Sequence, residues 1–221
     1  MNNIAIIFDM DGVIVDNHHF HLKSWLHFFE KHGVSMNEAE YKQQVNGRTM
    51  GEILPKIMKR EMSKDEIRKL GGQKEATYRE MYQPHIKPTG GVPQFLEELE
   101  KRRVPFAVAT SAPPENVKFT LENTGLRERF STIIDDTMVS KGKPDPEVYL
   151  TAAKTLDMPP ERCIVFEDAI LGIQSGKNAG MKVVGVATTH SREELEAEDT
   201  DYVMDDFSGL TLEKLIALLD L

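Results

Sequence analysis

The chain has 221 residues, enough to bury a hydrophobic core without disulfide staples. Its 27 Lys and Arg stand against 36 Asp and Glu, and the net charge of -9 disfavours nonspecific binding to nucleic acid or an anionic membrane, though not to a small anionic ligand. Hydrophobic residues at 40% and charged residues at 29% describe a folded chain rather than a disordered one, and the single Cys163 excludes an internal disulfide, which fits a reducing, cytoplasmic setting.

Ile4-Ala5-Ile6-Ile7-Phe8 is a continuous apolar run, the pattern of a strand buried on both faces. Asp9 stops it, no basic stretch precedes it, and it is too short for a signal-peptide core or a bilayer span. From His18 to Tyr82 the pattern is helical only, with helices expected at His18–His32, Asn37–Val45, Met50–Arg60 and Lys64–Tyr82, punctuated by Gly33, Gly47 and Gly71-Gly72. Hinges are expected at Asp16-Asn17 and from Gln83 to Pro88, where Pro84 and Pro88 stop the last of these helices. Beyond that, strands are expected at Val104–Thr110, Ser131–Asp135, Arg162–Glu167, Lys182–Ala187 and Asp201–Met204. Helices at Val92–Arg102, Glu115–Thr124, Pro146–Leu156 and Ala169–Ala179 alternate with them. That alternation predicts an α/β fold with a doubly wound parallel sheet, built from residues 1–16 and 86–221. An all-helical domain, residues 17–85, interrupts it after the first strand.

Asp9 and Asp11 fall just past the carboxyl end of the first strand, where open parallel sheets bind ligands. Taken alone, Asp9-Met10-Asp11-Gly12 also reads as a solvated turn. Two carboxylates so close repel each other, and a divalent cation such as Mg2+, which takes oxygen ligands, would relieve that. Glu167-Asp168 end another strand, and Asp168 also suits the N-cap of the helix that follows. Thr110-Ser111 follow the Val104–Ala109 run and precede a Pro113-Pro114 helix start. Lys143, in the Gly- and Pro-rich run Lys141 to Pro146, reads by itself as a solvated lysine. Coincidence explains one such placement better than four at one sheet edge.

Together these segments resemble the haloacid dehalogenase superfamily, over nearly the whole chain and in the family's order. The matching motifs are Phe8-Asp9-Met10-Asp11-Gly12-Val13, Thr110-Ser111, Lys143-Pro144-Asp145-Pro146 and Phe166-Glu167-Asp168. The helical insertion and the run from Asp16 to Trp25 resemble the β-phosphoglucomutase-like subfamily. The resemblance implies a Rossmann-like core carrying a helical cap, with Asp9 as nucleophile and Asp11 as general acid and base. It implies Mg2+ held by Asp9, a backbone carbonyl at Met10 or Asp11, and Asp168, with Glu167 contributing from further out. Ser111 would hydrogen-bond the phosphoryl group, with Thr110 and Ala112 beside it, and Lys143 would neutralise its charge. In the cap, His21, Lys74 and Arg48 match substrate-contacting positions, although Lys74 and Arg48 read on their own as solvated charges. Trp25 reads as core, and His18, His19 and His27 as solvated.

Two departures separate the chain from a true mutase of that subfamily. The position for a distal-phosphate Arg, three after Gly47, is Met50, and Arg48 stands two places early. Where the mutase pattern offers Ser, Lys and Asn after Ser111-Ala112, this chain has Pro113, Pro114 and Glu115, with Asn116 one place late. The expected activity is a phosphatase acting on a small phosphate ester, a sugar phosphate by resemblance. The alternatives are a hexose-phosphate mutase, and a binding module that kept the fold and lost turnover. A monomer is compatible with the sequence.

Overall fold

A computed structural model describes residues 4–45 and 48–218. In chain order the elements are β1 (Ala5–Phe8), then helices α1 (His18–Lys31), α2 (Glu38–Gln44), α3 (Met50–Ile57) and α4 (Lys64–Tyr82). Then come α5 (Val92–Arg102), β2 (Phe106–Ala109), α6 (Pro114–Asn123), β3 (Ile133–Ile134), α7 (Glu147–Thr155), β4 (Cys163–Glu167) and α8 (Ile170–Asn178). β5 (Lys182–Val186), α9 (Arg192–Glu196), β6 (Tyr202–Met204) and α10 (Leu212–Leu218) follow among the described residues. The chain divides into two compact units, Met1–Asp16 with Ile86–Leu221, and Asn17–His85.

Among the described residues the six strands of the first unit are all parallel, in the order β3-β2-β1-β4-β5-β6. The chain builds outward from β1 through β2 to β3, then returns to lay β4 on the other side of β1. That reversal opens a crevice at the carboxyl ends of β1 and β4. The register Phe8↔Phe166, continued by an Asp9 N–H bond to the Phe166 carbonyl at 3.0 Å, sets Asp9 and Glu167 at the same level.

Both sheet faces are buried, which explains the uninterrupted apolar runs. Ile6 and Phe8 face a cluster of rings in which Phe8 stacks on Phe166 at 5.4 Å, with Phe95, Phe130 and Phe207 around them. Ala5, Ile7 and Val165 face the other side and pack with Tyr149, Ala152 and Ile173 of α7 and α8. The third strand contracts to Ile133–Ile134, a pairing sustained at one sheet edge only by β2. Helices α9 and α10 are additions to the sequence reading; Ser191 and Glu194 close a capping box at the start of α9.

In the second unit Trp25, Phe28, Phe29, Tyr41, Ile53 and Leu54 form the core, as expected for Trp25. Gly71-Gly72 do not break α4. A Cβ on Gly71 would lie 3.3 Å from Met50 Cγ, so the missing side chain lets α3 and α4 approach closely. Among the described residues no helix is long and apolar enough to cross a membrane.

Candidate active site

Asp9 leaves β1 into a tight loop. The Met10 carbonyl accepts the amides of Ile14 and Val15 at 2.9 and 3.2 Å, which turns it into the loop. Gly12 has a φ of 77°, and a Cβ there would lie 1.9 Å from Asp168 Oδ2. Only glycine serves, both for its backbone and for the carboxylate packed against it. The Thr188 hydroxyl, just past β5, donates to the Gly12 carbonyl, and the neighbouring Thr189 hydroxyl bonds the Asp168 carboxylate. These two threonines were not singled out from the sequence, where a Thr pair in a loop carries no distinctive signal.

Lys143 is not solvated. Its side chain is 10% exposed, and Nζ lies 2.8 Å from Asp9 Oδ1 and 2.6 Å from Glu167 Oε1. Helix α8 pins the loop that carries it: Ser175 Oγ donates to the Asp145 carbonyl at 2.7 Å and Asn178 Nδ2 to that of Pro144 at 3.0 Å. Burial works against the ammonium, but Asp9 and Glu167 outweigh it and hold Lys143 above the ordinary lysine range.

Glu167 Oε1 also accepts the Tyr149 hydroxyl at 2.7 Å, while Oε2 accepts the amides of Asp168 and Ala169 at 2.9 and 3.0 Å. Asp168 does not cap α8: the N-cap position is Ala169, without a side-chain cap, and Glu167 binds the amides of Asp168 and Ala169 just ahead of the helix. Burial, reinforced by the nearby carboxylates, pushes the Tyr149 hydroxyl well above its usual range, so it stays a proton donor.

Asp9, Glu167 and Asp168 are buried and bring carboxylate oxygens within 4.8 Å of one another, the spacing of a cation site. Burial pushes the Asp9 carboxyl up to about 7; Lys143 opposes the rise, and Glu167 and Asp11 add to it. Burial, with Glu167 and Asp9, raises Asp168 well above the carboxylate range. One ammonium among this many carboxylates leaves an excess of buried negative charge that a divalent cation would satisfy.

Asp11 is half-buried in the same loop. Ser111 is exposed past β2. Thr110 is buried and its hydroxyl accepts the Ala112 amide at 3.1 Å, so Thr110 and Ala112 brace the turn that presents Ser111.

In the helical unit the solvated reading of Lys74 fails. Lys74 is 1% exposed. Its Nζ lies 3.0 Å from His21 Nδ1 and 2.9 Å from Glu75 Oε1, over the rings of Trp25 and Tyr78. An ammonium only donates, so His21 Nδ1 accepts, and the His21 ring stacks on Tyr78 at 3.9 Å. Arg48 is exposed, and its loop partners Asn46 and Gly47 lie outside the described residues.

The family profile described as haloacid dehalogenase-like hydrolase matches residues 6–186. Validoxylamine A 7'-phosphate phosphatase of Streptomyces hygroscopicus subsp. limoneus is 32% identical over 193 residues, covering 87% of this chain and 90% of its own. β-Phosphoglucomutase of Bacillus subtilis (strain 168) is 32% identical over 219 residues, covering 96% and 93%. The crystal structure of a HAD hydrolase, family IA, variant 3, from Entamoeba histolytica superposes with a TM-score of 0.92 at 32% identity, covering 99% of this chain and 100% of the other. With a match over most of its length, and with several curated relatives named phosphatases, the chain belongs to the haloacid dehalogenase-like hydrolase family as an enzyme of its phosphatase class.

Proposed function

We propose that the protein is a Mg2+-dependent phosphatase that hydrolyses a small phosphorylated metabolite, of the sugar-phosphate class, through an aspartyl-phosphate on Asp9. The observation that carries this reading is the buried Asp9 carboxylate, with the Lys143 ammonium 2.8 Å away and Asp168 close enough to share a cation. An Asp9 oxygen attacks phosphorus, the P–O bond to the leaving group breaks, and Asp11 supplies the leaving oxygen's proton. Asp11 then takes a proton from water, which attacks the same phosphorus and frees phosphate and Asp9. Lys143 and Ser111 hold the phosphoryl oxygens, and charge stabilisation of this kind supplies most of the acceleration. Asp9, Asp168 and the Asp11 carbonyl would hold Mg2+, which screens the carboxylate from the anionic phosphoryl group. The Met10 carbonyl, already engaged by loop amides, is the less suited of the two backbone donors.

Residues 17–85 form the cap in this reading and residues 1–16 with 86–221 the catalytic core. Substrate selection is assigned to His21, Lys74 and Arg48. The lone Cys163 and the acidic balance accord with a cytoplasmic enzyme that binds a metabolite rather than a nucleic acid.

The test is phosphate release from a panel of sugar phosphates, nucleotides and pyrophosphate. EDTA should abolish it and Mg2+ restore it; Asp9→Asn should fold normally and release none. Near wild-type release by Asp9→Asn would sink the assigned nucleophile. The near full-length similarity to the Bacillus mutase favours a second reading, hexose-phosphate isomerisation. Pro113, Pro114 and Glu115 weigh against it, since prolines donate no N–H and Glu115 repels phosphate. Conversion of β-glucose 1-phosphate to glucose 6-phosphate faster than phosphate release would establish the mutase instead.

A further inference from the structure

We infer that Tyr149 is a positioning residue of this site, and that the Glu167 it anchors seats Lys143 instead of binding the cation. This rests on the phosphatase reading. An ionised carboxylate offers about four lone-pair positions. Glu167 fills them with Lys143 Nζ at 2.6 Å, the Tyr149 hydroxyl at 2.7 Å and the amides of Asp168 and Ala169 at 2.9 and 3.0 Å. A cation at Glu167 would have to displace one of these donors. Asp9 and Asp168 carry no such set of backbone donors among the described bonds.

Tyr149 touches both halves of the buried pair. Its hydroxyl holds the acid, and its ring lies under the ammonium at 4.9 Å from Nζ. Packing alone does not require the hydroxyl, because a phenylalanine would fill the same space in α7 against the sheet. What the hydroxyl adds is a charge-assisted bond that fixes where Oε1 sits. Oε1 in turn draws Lys143, on its flexible stem, partly away from Asp9. Without that hold the ammonium would settle on Asp9 alone and screen the oxygen that must attack.

Four proteins test this: wild type, Tyr149→Phe, Glu167→Gln and the double variant. Each is measured for kcat and KM on p-nitrophenyl phosphate, Mg2+ affinity by calorimetry, and thermal stability. Tyr149→Phe should lower kcat about tenfold, the low end for losing one hydrogen bond to a charged group, with KM and Mg2+ affinity within about twofold of wild type. The double variant should be no slower than Glu167→Gln, because the hydroxyl acts through that acid. Wild-type kcat in Tyr149→Phe, multiplicative losses in the double variant, or a loss of more than about tenfold in Mg2+ affinity in Glu167→Gln would each overturn the inference. If the wild type binds Mg2+ and inorganic phosphate but releases none from any ester, the phosphatase reading fails by itself. The affinity of the Mg2+-loaded protein for inorganic phosphate then decides: a severalfold change in Tyr149→Phe supports the positioning role, and an unchanged value overturns it.

Discussion

Gly172→Ala inverts an ordinary rule. A helical Gly→Ala exchange stabilises by about 1 kcal/mol, through helix propensity. Gly172 lies in the first turn of α8, but a Cβ there would stand 1.6 Å from Glu167 Oε1 and 2.0 Å from its Cδ. Glu167 is 0% exposed and held on both oxygens, so it cannot swing aside without leaving Lys143 and Tyr149. Breaking a buried ion pair costs on the order of 3–5 kcal/mol, and the propensity gain offsets about 1 of that. A net loss of roughly 2–4 kcal/mol should lower Tm by roughly 4–16 °C in a chain of this size. Gly72 in α4 is the control, because a Cβ there meets nothing within 4 Å. Gly72→Ala should raise Tm by about 2–4 °C. Thermal unfolding followed by circular dichroism reads both. A Gly172→Ala protein as stable as wild type would refute the claim that the glycine exists to seat Glu167.

Lys143→Ala should lower kcat by about 10²–10³-fold, the usual cost of removing a preorganised charge-stabilising donor. The same variant should bind Mg2+ more tightly by calorimetry, since it leaves the buried acids without their ammonium; unchanged or weaker binding would contradict the charge balance described for the site. Cys163 is pushed up to about 12 by burial, with Glu161 adding, so its thiol should resist a thiol-disulfide reagent at pH 8 and react once urea unfolds the chain. Rapid labelling of the native protein would refute this. Asp201 is lowered: burial opposes the charge, but bonds from the Val183 amide at 2.8 Å and from Lys182 at 2.9 Å prevail. A lowered folded pKa stabilises above the unfolded value of about 4 and loses that contribution as pH falls through the folded one. Asp201→Asn should therefore cost about 1 kcal/mol at pH 7, discounted for its partial exposure, and progressively less as the pH falls below about 4. A pH-independent difference in urea unfolding would count against it.

The strands with uninterrupted apolar runs were legible because burial on both faces leaves no room for polar residues, as in Ile4–Phe8 and Cys163–Phe166. The helix α5 was legible to its ends, marked by Pro93 just inside the start and by basic residues at the close. The third strand was overextended, because its length depends on how many residues find a partner at the sheet edge, and the composition of residues 131–135 does not record that.

At the site, the Asp9/Asp11 and Glu167/Asp168 pairs could be read because each pair falls where an apolar run gives way to acids, at the carboxyl end of a strand. Lys143 could be read only through the family's motif; locally it is one more lysine in a polar loop. Tyr149 was invisible, since Val148, Tyr149, Ala152 and Ala153 make an ordinary apolar helix face and spacing does not say what a hydroxyl meets. The sequence by itself determined the parallel α/β core, the interrupting helices and the strand ends where acids gather, because hydrophobic period and chain punctuation are local properties. Only the tertiary structure decided that Lys143 is buried between Asp9 and Glu167, that Lys74 is buried in the helical unit, and that α8 starts at Ala169 with no cap from Asp168. Those outcomes turn on distances between residues far apart in sequence, and desolvation makes each partner's charge depend on the others.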